Sequence, residues 1–288
     1  MRTLRAATRG SPLARWQAEH VAALLRAVDA DVALELVVVD THGDRRLDVP
    51  IWELGGKGVF AKEVQAAVLD GRADLAVHSA KDLPSAAVPG LVLAAIPERG
   101  DPRDALVGST LADLPTGAEV ATGSLRRQVE LRRHRPDLRF VSLRGNMQTR
   151  IAKAADHDAV VVASTALDRL GMAEQIAERL PTDVMLPQVA QAALAVECRA
   201  DDEDLQARLA RIEHGPTRRC VDAELGGDCS LPAAAHAVLD GGALHLRGFL
   251  ASPDGRIMHR HELNGTDPSL GTDLARHLHE LGGPALLG

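Results

Sequence analysis

The segment Leu4–Val39, LRAATRGSPLARWQAEHVAALLRAVDADVALELVVV, sets the fold class. Leu4 to Thr8 reads as a short strand. Ser11-Pro12 follows, a cap residue and then a proline at the first helical position. Leu13, Trp16, Val21, Leu24, Leu25 and Val28 recur near the helical period. Leu34 to Val39 is an apolar, β-branched run that reads as a buried strand. Strand, helix and strand of these lengths predict a parallel βαβ unit.

The same alternation continues outward. A helix is predicted over Phe60 to Leu69, a strand over Leu75 to Val77 and an extended run over Val88 to Ile96. A second unit begins after Pro97 to Arg103. Its strands are Ala105 to Val107, Glu119 to Ala121, Arg139 to Leu143 and Ala159 to Ala163, with helices over Ser124 to His134 and Asn146 to Ala155 and helical segments on to Leu180. Two doubly wound α/β domains are therefore expected. Val184 to Val196 reads as extended, Asp202 to Glu213 as a helix, and His214-Gly215-Pro216 as a break. Beyond the break, Ala233 to Leu239, Leu244 to Leu250 and Ile257 to Leu263 alternate like an antiparallel sheet, with turns at Gly241-Gly242 and Pro253-Asp254-Gly255, and Leu270 to Leu281 closes as an amphipathic helix. The predicted division is 1–97 with 190–213, then 98–189, then 214–288.

The 288 residues are 45% apolar and 25% charged, a globular profile. A net charge of -7 and an aromatic content of 2%, with no Tyr, argue against a nucleic-acid partner. The N-terminus has no apolar signal core and no stretch reaches membrane-spanning length, so a cytoplasmic protein with no membrane partner is expected. Cys198, Cys220 and Cys229 form no metal-ligand spacing and no disulfide framework. Lysine occurs only at Lys57, Lys62, Lys81 and Lys153 among 33 basic residues. Base composition of the genome or carboxylate recognition by arginine would each produce that bias.

Charged clusters fall where ligands of open α/β sheets bind, at the carboxyl ends of strands. Arg9-Gly10-Ser11 follows the first strand and opens a helix that carries Gln17, and Asp44 lies past the second strand. His78-Ser79-Ala80-Lys81-Asp82 follows another. Thr122 and Ser124-Leu125-Arg126-Arg127 open one helix, and Arg144-Gly145-Asn146 with Arg150 opens the next. Helix N-termini attract anions, and forked guanidinium groups add paired donors. Each arginine alone reads as surface; together they predict a site for a molecule with many carboxylates. Lys81-Asp82 alone reads as an ion pair at a strand end; beside an arginine cluster, Asp82 would stay ionised and steady a developing cation. Gly55-Gly56-Lys57-Gly58 lacks phosphate-loop spacing and reads either as a lid or as an ordinary exposed loop. Gly226-Gly227-Asp228-Cys229-Ser230 is a tight turn that presents a thiol.

These segments together resemble the porphobilinogen deaminase (hydroxymethylbilane synthase) family. The likeness runs through AATRGSPLARWQA at 6–18, THGD at 41–44, GGKGVFAKEV at 55–64, DLAVHSAKDLP at 74–84 and DPRDALV at 101–107. It continues through GSLRRQVEL at 123–131, LRGNMQTR at 143–150, ALDRLG at 166–171 and VECR at 196–199. The resemblance implies two domains of the periplasmic-binding-protein type with a cleft between them and a small α+β C-terminal domain, acting as a monomer. It implies a dipyrromethane cofactor in thioether linkage to Cys229. Four porphobilinogen molecules would each lose ammonia, give an electrophilic azafulvene and join the chain, releasing hydroxymethylbilane. Asp82 would be the catalytic carboxylate with Lys81 beside it. Arg9, Arg126, Arg127, Arg144, Arg150 and Arg169 would hold acetate and propionate arms, supported by Ser11, Gln17, Asp44, Ser79, Thr122, Ser124, Gly145, Asn146 and Gln191, with Lys57 in the mobile loop. No metal is implied.

Four departures from the family pattern stand out. Ala190-Gln191-Ala192-Ala193 replaces Gly-Gln-Gly-Ala, Asp228 precedes the anchor where Gly is usual, Gly123 stands for a Ser, and the 214–219 entry is short with Arg218 in place of Glu. The competing readings are a two-lobed carboxylate-binding protein without catalysis and a paralogue with little turnover.

Overall fold

The structure, a computed structural model, describes residues 2–45, 58–84, 86–225 and 233–286. Its elements begin with β1 (Arg2–Arg9), α1 (Pro12–Val28), β2 (Val32–Val39), α2 (His42–Arg45), α3 (Lys62–Leu69), β3 (Leu75–Ser79) and β4 (Leu91–Ala95). They continue with β5 (Asp104–Val107), β6 (Glu119–Ala121), α4 (Leu125–His134), β7 (Arg139–Val141), α5 (Met147–Ala152), β8 (Ala159–Ala163), α6 (Ser164–Arg169) and β9 (Ile176–Arg179). Then come β10 (Leu194–Arg199), α7 (Glu203–Leu209), α8 (Gly215–Glu224), β11 (Ala233–Asp240), β12 (Ala243–Ala251), β13 (Met258–Gly265) and α9 (Leu270–Leu286).

The chain divides into two compact units, Met1–Gly100 with Ala192–Arg218, and Asp101–Gln191 with Arg219–Gly288. The first holds a sheet of order β2-β1-β3-β10-β4. β1 and β2 pair in parallel from Arg2↔Val32 to Arg9↔Val39, as the opening segment predicts. β10 returns antiparallel between β3 and β4. Both faces are covered. Ala18, Val21 and Leu25 of α1 and Leu205 and Leu209 of α7 pack on Leu4, Ala6, Val77 and Val196. Val64, Ala67 and Val68 of α3 pack on Ala7 and Ala76. Alternate strand residues thus face opposite helices, the doubly wound arrangement.

The second unit repeats the plan with sheet order β7-β6-β8-β5-β9. Leu131 of α4 covers Leu106, Val120 and Val161, while Ile151 and Leu167 cover Val107, Ala121, Val160 and Val162. The same unit contains the antiparallel sheet β11-β12-β13, whose β11–β12 turn places Gly241 and Gly242 at φ 53 and 88, the left-handed pair that a tight hairpin needs. Phe249 and Ala251 of β12 meet Val129 of α4 and Leu186 in a shared apolar cluster.

Three local expectations are corrected. The helical reading to Leu180 gives way to the short α6, a left-handed Gly171 (φ 66) and the edge strand β9, whose partner β5 supplies nonlocal hydrogen bonds. The extended reading of 184–196 holds only from Leu194, since turns bonded to Pro181 and Gln188 carbonyls fill the preceding stretch. The break at His214-Gly215-Pro216 is instead the start of α8. Proline lacks an N–H that the first turn leaves unbonded anyway, so it begins a helix without penalty.

Phe249 is fully buried where the C-terminal sheet meets the second lobe. Phe249→Ala is expected to destabilise this unit by roughly 3–5 kcal/mol, measured as a lowered urea midpoint. A loss under about 1 kcal/mol would mean that the cluster does not hold the two sheets together.

Candidate active site

In the first unit the candidate residues gather where β1 and β3 end. Ser11 is an extended N-cap of α1 whose side chain accepts from Ala14 N at 3.3 Å, and buried Thr8 donates to Ala14 O at 3.1 Å. These bonds fix the turn that carries Arg9, whose guanidinium lies 4.0 Å above the Phe60 ring, a cation–π contact. Buried Gln17 donates Nε2 to Ser79 Oγ at 2.8 Å, tying α1 to the end of β3. β3 runs into a single 3-10 turn, Ala80–Asp82, held by Ala80 N to Ala193 O at 3.0 Å. Arg9, Gln17, Ser79 and Asp82 line one small pocket together with Phe60 and His78. Lys81 adjoins it in sequence. Behind it, His78 Nε2 lies 3.0 Å from Glu197 Oε2, which also accepts from Gln65 Nε2 at 2.9 Å, all three residues being buried. Asp44 falls in α2. Lys57 and Cys229 lie outside the described residues.

In the second unit, buried Thr122 caps the end of β6, its hydroxyl accepting from Ser124 N at 3.3 Å. Ser124 is the N-cap of α4 and accepts from Arg127 N. Asn146 is the N-cap of α5, accepting from Thr149 N at 2.9 Å, and Arg150 Nε returns to Gly145 O at 2.9 Å. Gly145 sits at φ 116 with Thr149 against it, where a Cβ would meet the Thr149 side chain at 2.8 Å. Arg144 precedes that turn. Arg169 ends α6; burial pushes its guanidinium down to about 10, with Asp168 opposing.

Arg126 and Arg127 are both buried, and both point at Asp104, which is 0% exposed. Arg126 Nη2 reaches Asp104 Oδ2 at 2.6 Å and its Nη1 donates to Leu186 O at 2.6 Å. Arg127 holds Asp104 Oδ1 through Nε (3.0 Å) and Nη2 (2.8 Å), and donates to Val161 O at 3.1 Å. Gln191 completes the shell, giving Nε2 to Asp104 Oδ1 at 2.9 Å and to Pro102 O at 2.7 Å. Burial alone would push the Asp104 carboxyl up, but the two guanidiniums and Gln191 outweigh it and hold it at about 2. A second buried carboxylate, Glu130 of the same helix, accepts from Leu186 N at 3.2 Å beside this cluster and pairs with the part-exposed Arg260. Arg126 Nε has no hydrogen-bond partner among the described residues. Sequence reading missed Asp104. Its signal was a carboxylate opening an otherwise apolar strand, Asp104-Ala105-Leu106-Val107.

A family model described as porphobilinogen deaminase, dipyromethane cofactor binding domain, matches residues 4–207, and one for the C-terminal domain of porphobilinogen deaminase matches 219–280. The chain belongs to the porphobilinogen deaminase family. The porphobilinogen deaminase of Syntrophomonas wolfei is 45% identical, the match covering 100% of this chain and 98% of the relative. That of Syntrophus aciditrophicus is 48% identical over 97% and 96%. Among solved structures, the VFT2 domain of Bordetella pertussis BvgS is 18% identical with a TM-score of 0.43, covering 73% of this chain and 86% of that one.

The donor set fits the cofactor named by the family model. The pocket of the first unit supplies one guanidinium, amide and hydroxyl groups and one carboxylate. Acidic side arms and pyrrole N–H groups require such donors and acceptors. Two family departures have local structural correlates. A Cβ at Gly123 would lie 2.8 Å from Leu143 O, so the packing here requires glycine. Ala190 and Ala192 keep the left-handed backbone natural to glycine, with φ 56 and 71, at a strain of roughly 1–2 kcal/mol each.

Asp104 has a folded-state value below the unfolded one near 3.9, so its stabilisation is complete above about pH 4 and is lost as pH falls through about 2. Asp104→Asn should lower stability at neutral pH by roughly 3–5 kcal/mol, because it leaves two buried cations uncompensated, and should flatten the acid loss in that window. Urea midpoints against pH measure both. An unchanged acid slope would contradict the clamp.

Proposed function

We propose that this chain is a hydroxymethylbilane synthase, a transferase of tetrapyrrole (porphyrin and heme) biosynthesis that condenses four porphobilinogen molecules on a dipyrromethane held by Cys229. The match of the cofactor-binding family model across residues 4–207 carries this reading. The pocket shared by Arg9, Gln17, Ser79 and Asp82 supports its site. The chain would work as three domains, 1–97 with 190–213, 98–189, and 214–288. It would act as a cytoplasmic monomer; among the described residues no helix is long and apolar enough to cross a membrane.

In each cycle the C–N bond of the substrate's aminomethyl group breaks and ammonia leaves. A C–C bond then forms to the free α-carbon of the growing chain, and that carbon loses its proton. The bound cofactor supplies the first nucleophilic α-carbon. Asp82, at the end of β3, accepts hydrogen bonds from pyrrole N–H groups and offsets the positive charge that develops as the amine departs. It also receives and returns the transferred proton. Lys81 sets the field around that carboxylate. Arg9, Arg144, Arg150 and Arg169 receive acetate and propionate arms, with Ser11, Ser124 and Asn146 presenting helix N-termini toward them. Arg126 and Arg127, already braced on Asp104, belong to the same reading as carboxylate-facing cations. Lys57 and Asp44 belong to the same reading as further contacts to the bound chain.

Intact mass of the purified chain tests the proposal. A covalent excess of two linked pyrrole rings is expected, and it should be absent in Cys229→Ser. An unmodified parent chain that releases no ammonia from porphobilinogen would overturn the enzyme reading in favour of a binding protein. A modified chain without turnover would favour a catalytically silent paralogue.

Asp82→Asn should keep the cofactor mass and the fold while lowering kcat by at least about a hundredfold, as loss of general acid–base and electrostatic help does. Undiminished turnover in that variant would remove Asp82 from the chemistry.

A further inference from the structure

The last residue of α8, Glu224, is 2% exposed, and its carboxylate is shared between two distant backbone sites. Oε2 accepts from Ala190 N at 2.6 Å. Oε1 accepts from Ala237 N at 2.8 Å and lies 3.2 Å from His236 Nδ1. Ala237 and His236 belong to β11, which begins just after residues 226–232, and Glu224 ends the helix just before them. One side chain therefore ties together the two stems that flank that segment. Its other oxygen ties them to the turn at 190, where an alanine holds φ 56. The neighbouring Gln191 bonds Asp104, and Asp104 holds Arg126 and Arg127. The path from the stems to the arginine pair is continuous and lies within one compact unit.

We infer that Glu224 is a positioning residue that keeps the stems of the Cys229 segment in register with the Asp104–arginine clamp by holding Ala190 in its left-handed turn. This rests on the function proposed above, since register matters only if Cys229 carries a group that the arginines must receive. This role needs a carboxylate and not merely a polar group. Two amide N–H groups approach two different oxygens, and a glutamine would turn an NH2 toward one of them. It also explains how this chain keeps alanine where the family pattern has glycine. A charge-assisted bond to the Ala190 amide offsets the strain of the left-handed residue.

The test uses the full-length apo chain incubated with porphobilinogen and followed by intact mass. Glu224→Gln should gain the two-ring mass about tenfold more slowly than the parent, the scale of one lost bond to a charged acceptor. Ala190→Gly added to that variant should recover most of the loss, because glycine takes the turn without help. Glu224→Gln loading at the parental rate would overturn the inference. So would slow loading that Ala190→Gly does not relieve, with faster amide exchange across all of β11 to β13, the mark of general support. Should Glu224→Gln fail to fold, amide exchange in the parent decides. Ala190 and Ala237 must open together as one protected unit, and Ala190 exchanging more than about tenfold faster than Ala237 would overturn the claim. A parent chain that never gains the two-ring mass would instead defeat the proposed function itself.

Discussion

Two buried guanidiniums braced on one buried carboxylate form the constraint on which the rest of this molecule depends. Asp104 sits at the start of β5, a central strand of its sheet, with Arg126 and Arg127 from the first turn of α4 closing on it and Gln191 filling the remaining position. Such a cluster is expensive to desolvate and tolerates little displacement, because removing any partner strands a charge. Its geometry therefore fixes α4 against the sheet and the 188–191 turn against both.

The first unit solves a different problem with similar parts. Its helix α1 starts on Ser11 and Pro12, the 3-10 turn after β3 carries Asp82, and Gln17 bonds Ser79 between them. The carboxylate thus stands on a rigid strand end and not on a free loop. Arg9 is turned onto Phe60, which helps fix the guanidinium. Within this unit a carboxylate, a guanidinium and an amide thus share one small pocket.

Much of this was legible in the sequence because it is local. The βαβ opening, the capping serines, the Gly241-Gly242 hairpin and the clustering of basic residues at strand ends are all set within a few residues. What escaped reading is nonlocal. Nothing near Arg126 and Arg127 announces a partner more than twenty residues earlier in the chain, so the pair reads as ligand-facing when much of its charge is already engaged. β9 carries a polar, helix-like pattern, and only pairing with β5 makes it a strand. Gly215-Pro216 looks like a stop because a proline ends a helix as readily as it begins one. The left-handed alanines at 190 and 192 run against local preference and are held by the bond from Ala190 N to Glu224 and by the Gln191 side chain.

The proposed function requires one sulfur atom, that of Cys229, to hold the product while it grows. The most direct measurement mixes cofactor-bearing protein with limiting porphobilinogen, quenches in acid and records the covalent mass over time. A ladder is expected that rises one pyrrole ring at a time, up to four above the starting species, and then resets as hydroxymethylbilane is released. Linear oligomers that accumulate only in solution, while the protein mass stays constant, would contradict it.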